Sequence, residues 1–289
     1  MPPPPRRLLV STDAKNEADD QFAIVHALLS STVEVSAILP SHFGRPGSMA
    51  ASSDEVDLLL RLLGPRAADV AVADGAQQAL PDERTPAPSA ASARIALEAS
   101  SGAGPVYVAV LGPLTDVASA ILEHPEICTS ELVIVWVGGP PYDGPAGYAP
   151  EFNLVNDVAA ANVVMASGVT VWQIPMDVYT MVGVGHAELR ERLSGTSALG
   201  DYLVEQLIAF NATVDYGPMD FRSLGDSPAI GAVINPLGGR WSIRPAPRFT
   251  ANAELMADMS GPHGVRVCEA FDVRWLIEDM FAKLRSLGA

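Results

Sequence analysis

The sequence predicts a single α/β domain, with a mostly parallel central β-sheet covered by helices. Three observations predict it. Short apolar runs alternate with helical patterns at least five times between residues 8 and 174, as parallel strands joined by helical crossovers require. The strands end in polar or Gly/Pro-containing loops, and open sheets of this kind hold ligands at their carboxyl ends. The 289 residues, 48% of them hydrophobic, show no internal repeat or composition break, and suffice for one large core. Residues 8–289 are therefore read as one domain behind a disordered, Pro-rich tail over residues 1–7.

The organising stretch is LLVSTDAKNEADDQFAI, residues 8–24. Leu8, Leu9 and Val10 form a buried strand that stops at Ser11-Thr12, leaving Asp13 at its carboxyl end. A polar loop follows, and Asp19 and Asp20 open an apolar helix. Val33 to Leu39 is the second strand, running into the loop PSHFGRPGS. The next helix starts at Ser53 and stops at Gly64, and Ala68 to Val72 is a short third strand. Residues 75–91 form a surface loop before the helix ARIALEASS. Pro105 to Leu111 is a buried strand ending at Gly112-Pro113, and a helix runs from Leu114 to Leu122. Leu132 to Val137 is the next strand. After the loop PPYDGPAGYAPEFNLVND, a helix from Asp157 to Ala166 stops at Gly168, and Val169 to Ile174 is another strand. The remainder is less regular. Helical patterns cover 186–194, 198–214 and a segment from Asp226, and residues 272–287 form a closing amphipathic helix. Arg240 to Arg244 and Val265 to Cys268 read as strands of an edge hairpin. Trp136 and Trp172 lie within strands and read as core.

Composition narrows the partners. Lys and Arg total 18 against 34 Asp and Glu, a formal net charge of −16. Such a surface repels phosphate backbones and anionic membranes, so no nucleic acid polymer and no membrane is expected as partner, while small neutral ligands and divalent cations suit it. Cys128 and Cys268 are far apart and lack partner spacing. With no apolar run long enough for a signal peptide or a membrane span, a reducing, cytoplasmic location is expected.

The strand-end loops carry polar groups that a core does not need. An Asp at a helix start caps free N–H groups and suits the helix dipole, which accounts for one of Asp19 and Asp20 but not for both together with Asp13. Two unit charges about 4 Å apart repel by roughly 4 kcal/mol at an effective dielectric of about 20, so a crevice collecting three carboxylates must protonate one or hold a cation. Glu151 and Asn153 flank Phe152, and in extended backbone they share one face. A polar loop around one buried Phe is the plainer alternative. Asp226 precedes Ser227-Pro228, where helix capping is the plain reading. His42, in a strand-end loop, could reach a ligand or simply be solvated. Tyr148 and Tyr179 lie in loops of the same kind and could donate a proton, stack on a ring or pack.

These residues carry a resemblance. STDAKNEADDQFAI, VAVLGPLTDVASAI, EFNLVNDVAAANVVMASG, IPMDV and LGDSPAIGAVINP resemble, in order, the successive motifs of the inosine–uridine-preferring nucleoside hydrolase family, over roughly residues 8–236. The resemblance implies a nucleoside hydrolase-like α/β domain, assembled as a homodimer or homotetramer, that binds one Ca²⁺. On the matching positions, Asp13, Asp20, Asp226 and the Leu111 carbonyl would hold the metal, an oxygen set that suits Ca²⁺. Neither the two cysteines nor the five histidines show zinc-ligand spacing. Asp19, Glu151 and Asn153 would bind ribose hydroxyls, with His42, Tyr148 and Tyr179 as further substrate contacts. Asp13 would take the proton of the attacking water. The implied reaction is hydrolysis of the N-glycosidic bond of a ribonucleoside or related riboside, releasing base and ribose.

Three departures mark a divergent branch. The loop between Asp13 and Asp19 is longer than the family pattern and contains Lys15, Asn16 and Glu17. Gly225 stands where the family often has a His that assists base departure. The Asn usually found ahead of Glu-Phe-Asn has no counterpart. From these, hydrolysis of inosine and uridine is expected to be slow relative to a nitrophenyl riboside. A non-catalytic ribose- or metal-binding relative is the alternative. A metal phosphohydrolase is weaker still, since no basic residue beside Glu151-Phe152-Asn153 would meet a phosphate.

Overall fold

The computed structural model describes residues 3–129, 131–215, 218–256 and 263–288. In chain order, β1 (Arg6–Thr12), α1 (Asp20–Leu28), β2 (Val33–Pro40), α2 (Ser48–Leu63), β3 (Ala71–Val72), α3 (Ala90–Ala99), β4 (Val106–Val110), α4 (Thr115–Glu123) and β5 (Leu132–Val137) make the first half. The helices α5 (Phe152–Asn156) and α6 (Val158–Ala166), then β6 (Thr170–Ile174), α7 (Met176–Tyr179), β7 (Gly183–Gly185), α8 (His186–Leu193), α9 (Ala198–Asn211) and β8 (Phe221–Ser223) follow. The chain closes with α10 (Ser227–Ile234), β9 (Gly239–Pro245), β10 (Gly264–Phe271) and α11 (Val273–Arg285).

Among the described residues the main sheet has eight strands in the order β3-β2-β1-β4-β5-β6-β10-β9, all parallel except the edge strand β9. Because the period along a strand is two, alternate residues face opposite layers. Leu8, Val10, Ala109 and Val135 pack beneath α1 and α9 to α11. Leu9, Val108, Ile134 and Trp136 pack beneath α3, α4 and α6. Each buried Leu, Ile or Val among them stabilises the fold by about 1.5–3 kcal/mol. Helix α1 is buried from Asp20 to Ala27, since it lies between the sheet and α10 and α11.

The connections place the crevice. From β1 the chain winds outward through β2 and β3, then returns to put β4 on the other side of β1. The gap between the carboxyl ends of β1 and β4 is the topological switch point, and the register Ser11↔Val110 sets Asp13 opposite Leu111 and Gly112.

Several boundaries differ from expectation. Strand β1 starts at Arg6, inside the expected tail, where Arg6 pairs with Val33; Met1 and Pro2 of that tail lie outside the described residues. Helix α2 starts at Ser48, after Gly47 at φ 77, not at Ser53. Residues Gly64–Ala67 form a short 3₁₀ turn, so β3 keeps only Ala71–Val72. Strands β9 and β10 pair antiparallel as expected, but β10 also pairs in parallel with β6, so of these two only β9 is an edge. Trp136 is fully buried, whereas Trp172 is partly exposed and covered by the Arg266 guanidinium 4.4 Å from its ring centre.

Candidate active site

Strand β1 delivers Asp13, and the turn beyond it is pinned on all sides. The Asn16 N–H donates to the Asp13 carbonyl at 2.8 Å. Gln21 Nε2 donates to the Ala14 carbonyl at 2.6 Å, and Gln206 Nε2 to that of Ala18 at 2.8 Å. Lys15 turns away to Glu55, 2.7 Å from its carboxylate. Glu17 pairs with Arg222 of β8. Asn16 and Glu17 remain on the cavity wall.

Asp19 and Asp226 occupy the positions just before α1 and α10, yet neither side chain caps its helix. The capping reading therefore does not describe them. Both helices pack together and point their amino ends, the positive ends of their dipoles, toward the same acidic cluster. Among the described residues, Asp19, Asp20 and Asp226 each offer a carboxylate oxygen, the three atoms lying within 4.8 Å of one another. This tight trio contains Asp19, expected as a sugar contact, where Asp13 was expected. Asp13 lies alongside, one oxygen (Oδ2) buried with no hydrogen-bond partner. Thr12 Oγ1, which sequence reasoning passed over, donates to Asp20 Oδ1.

Crowding this many carboxylates away from water disfavours their charged forms. Burial, then repulsion from Asp20, pushes the Asp13 carboxyl well above its ordinary value. Burial and then Glu17 and Asp20 raise Asp19 to about 8, with Arg222 opposing. Asp20 rises only to about 6, because hydrogen bonds from Thr12 and with Asp226 offset its burial. Asp226 is raised by burial and then by Asp19, Asp20 and Asp13.

The opposite wall comes from the loop before α5. Glu151 and Asn153 do not lie on an extended segment as expected, since residues Phe152–Asn156 form a helical turn. The cause is Glu151 itself, whose carboxylate takes the Leu154 N–H at 2.9 Å and the Asn153 N–H at 3.3 Å as a helix cap. It also accepts from Gly139 N–H at 2.8 Å and from the Tyr179 hydroxyl at 2.8 Å. Gly139 has φ 87, which suits glycine and turns its N–H to that carboxylate. Asn153 Nδ2 donates to the Leu111 carbonyl at 2.7 Å and to that of Val137 at 3.0 Å. A carbonyl has two lone pairs, so Leu111 keeps one for another partner.

These groups line one cavity, with Asp13, Asn16, Glu17, Asp19, Asp20, Leu111, Val137, Tyr148, Glu151, Phe152, Asn153, Tyr179, Gly225 and Asp226 on its wall. Nine of the ten expected site residues meet there; His42 is not on this wall. It is fully buried beneath α4, with Nδ1 accepting from Gly44 N–H at 3.3 Å and Nε2 bonded to Thr115 Oγ1 at 2.8 Å. Thr115 in turn donates to Asp157 at 2.7 Å. The expected solvated loop histidine is instead a packed one, and its burial lowers its pKa.

Residues 8–277 match the family described as inosine-uridine preferring nucleoside hydrolase. The chain belongs to this family. It is accordingly an N-ribohydrolase, a glycosidase acting on ribonucleosides. The pyrimidine-specific ribonucleoside hydrolase RihA of Citrobacter koseri is 30% identical over 212 residues, 66% of this chain and 67% of that relative. RihA of Salmonella enteritidis is 29% identical over 214 residues, with the same coverage. A plant nucleoside hydrolase shares the fold at TM-score 0.81 and 18% identity, covering 98% of this chain and 100% of its own. So does a purine-preferring ribonucleoside hydrolase from Gardnerella vaginalis, at TM-score 0.81 and 20% identity over 98% and 99%. Among the described residues, no helix of this nucleoside hydrolase is long and apolar enough to cross a membrane.

Proposed function

We propose that this hydrolase cleaves the N-glycosidic bond of an unphosphorylated ribonucleoside or riboside in a Ca²⁺-dependent reaction, releasing base and ribose. The observation that carries the reading is the cavity wall, which has six carboxylates (Asp13, Glu17, Asp19, Asp20, Glu151 and Asp226) and, among the described residues, no Lys, Arg, His or Cys. Such a wall repels a phosphate and welcomes a divalent cation and a neutral diol.

The residues present fit a hard cation. Asp13 Oδ2 is a buried oxygen without a partner, and Asp20 and Asp226 are close enough to share one ion. We assign the cation to Asp13, Asp20, Asp226 and the Leu111 carbonyl, with Asp19 beside them. An all-oxygen set suits Ca²⁺ rather than zinc. When bound, the cation offsets the carboxylate charge, coordinates oxygen ligands and makes water more acidic.

The side chains then divide the work. Asp13 accepts the proton of the water that attacks C1′. Asp19, Glu151 and Asn153 hold the ribose hydroxyls and orient the ring. The four protein donors on Glu151 fix its carboxylate in place, so Glu151 also positions Asn153 and Tyr179. A homodimer or homotetramer in the cytoplasm remains the proposed setting; the free thiols Cys128 and Cys268 support a reducing compartment.

A panel of purine and pyrimidine ribonucleosides, each paired with its 5′-monophosphate, tests the reading. Equal amounts of base and ribose from at least one nucleoside, with little from its monophosphate, are expected. Preference for the monophosphates would contradict it.

A further inference from the structure

Breaking a glycosidic bond to a nucleobase leaves its electron pair on the base, and ordinary bases leave poorly unless another ring nitrogen or a carbonyl oxygen of the base is protonated. Gly225 has no side chain to do this. The space beside it is already filled. A β-carbon at Gly225 would lie 3.0 Å from Cδ2 of the Tyr179 ring and 3.3 Å from Oδ2 of Asp19. Tyr179 is held there by its backbone, since its N–H bonds to the Pro175 carbonyl at 3.2 Å and its carbonyl accepts from Ser223 Oγ at 3.0 Å.

From that position the ring begins a chain of hydroxyls. The Tyr179 hydroxyl is hydrogen-bonded to the Tyr148 hydroxyl on one side and to Glu151 Oε1 on the other. All three side chains line the cavity. Glu151 and Tyr179 are buried, whereas Tyr148 is 44% exposed and forms the open end. With no His, Cys, Lys or Arg among the described lining residues, the proton donors left are carboxylic acids and these phenols. The aspartates are committed to the cation, the water and the sugar, and Glu17 is paired with Arg222.

We propose that Tyr148 is the acid that protonates the departing base, resupplied through Tyr179 from Glu151. The proposal rests on the hydrolase reading and deepens it. A hydroxyl chain runs in either direction. With Glu151 ionised, Tyr179 donates to it and Tyr148 donates to Tyr179. With Glu151 protonated, each bond reverses and the Tyr148 O–H is free to turn to the ligand. Burial raises the Glu151 carboxyl and favours the second arrangement, while the N–H groups of Gly139, Leu154 and Asn153 and the Tyr179 hydroxyl act in the opposite direction, so both arrangements are within reach.

The step balances. The attacking water forms the C1′–O bond and gives its proton to Asp13. The C1′–N bond breaks with its electron pair on the base, which takes the Tyr148 proton. Tyr148 is refilled from Tyr179, and Tyr179 from Glu151. Asp13 ends protonated and Glu151 ionised, and exchange with solvent after product release restores both. Tyr148 is thus a catalytic residue and Tyr179 a positioning and relay residue.

The test compares wild type, Tyr148→Phe and Tyr179→Phe on inosine, uridine and a nitrophenyl riboside, whose leaving group needs no proton. Tyr148→Phe should lower kcat on a nucleoside that the wild type cleaves by about 10²–10⁴-fold, the usual worth of general acid catalysis, and leave nitrophenyl turnover little changed. Tyr179→Phe should give a smaller loss in kcat on the same nucleoside and move the alkaline limb of its pH profile, with the nitrophenyl kcat falling less than the nucleoside kcat. Circular dichroism and the melting temperature show that each variant is folded. Equal losses on both substrate classes, or unchanged nucleoside rates, would overturn the proposal while leaving the hydrolase reading intact. A wild type that cleaves neither class would overturn both.

Discussion

Gly112 stands against Asp13 so closely that a β-carbon on it would lie 2.7 Å from Asp13 Oδ1 and 2.9 Å from Cγ. The carboxylate can occupy its place at the end of β1 only because the end of β4 presents a glycine. Gly112→Ala should therefore push Asp13 aside while leaving the sheet paired. Displacement of a catalytic group by about 1 Å costs on the order of 10²-fold in rate. Calorimetric Ca²⁺ titration together with kcat should show both weakened and the melting temperature nearly kept. Unchanged Ca²⁺ affinity would show that Asp13 is not a ligand.

The acidic cluster makes stability depend on pH in a defined direction. The Asp19 and Asp20 carboxyls are raised from 3.8 to about 8 and about 6, so the folded chain holds more protons than the unfolded one between pH 4 and 8. Their contribution to stability is complete below the unfolded value and is lost as pH rises through the folded values. Cation-free protein should thus melt at progressively lower temperature as pH rises over that window. Added Ca²⁺ should raise the melting temperature more at pH 8 than at pH 5, since cation and protons compete for the same oxygens. A Ca²⁺ effect that is equal at the two pH values would contradict the site.

Asp13 and Asn153 should separate by what they lose. Asp13→Ala removes the proposed proton acceptor, so turnover should fall far more than ribose binding. Asn153→Ala should first weaken sugar binding, read as a rise in KM or in the Kd for ribose, with Ca²⁺ retained. Equal loss of metal from both variants would show the roles to be misassigned.

Trp136 ties the site to the core. It is fully buried, edge-on to Phe249 at 6.4 Å, and its Nε1–H donates to the Gly112 carbonyl at 3.2 Å. Trp136→Ala should cost about 3–5 kcal/mol in denaturant unfolding, the range for emptying a large aromatic site. Trp136→Phe should cost less while loosening the Gly112 turn.

Local patterns in the sequence were enough to read the alternating strands and helices, and the run from Leu8 to Ile24 announced its own strand, loop and acidic helix start. What local patterns do not carry is set by contacts between distant segments. His42 has the sequence context of a loop, but Thr115 and Asp157 bury it from across the fold. Glu151 is an uncommon capping residue, so the helical turn it starts was read as extended chain. The entry of Asp19 into the tight trio with Asp20 and Asp226 depends on how α1 and α10 meet. The closeness of Gly112 to Asp13 and of Gly225 to Tyr179 appears only once the strands and loops are assembled.

The most direct measurement is ribose release, as reducing sugar, from a reactive nucleoside by protein that has been stripped with a chelator and then titrated with Ca²⁺. Negligible release from the stripped protein, recovery on adding Ca²⁺, and no recovery in Asp226→Asn at the same concentrations are expected. Undiminished release from the stripped protein, or full recovery in Asp226→Asn, would contradict the Ca²⁺ site.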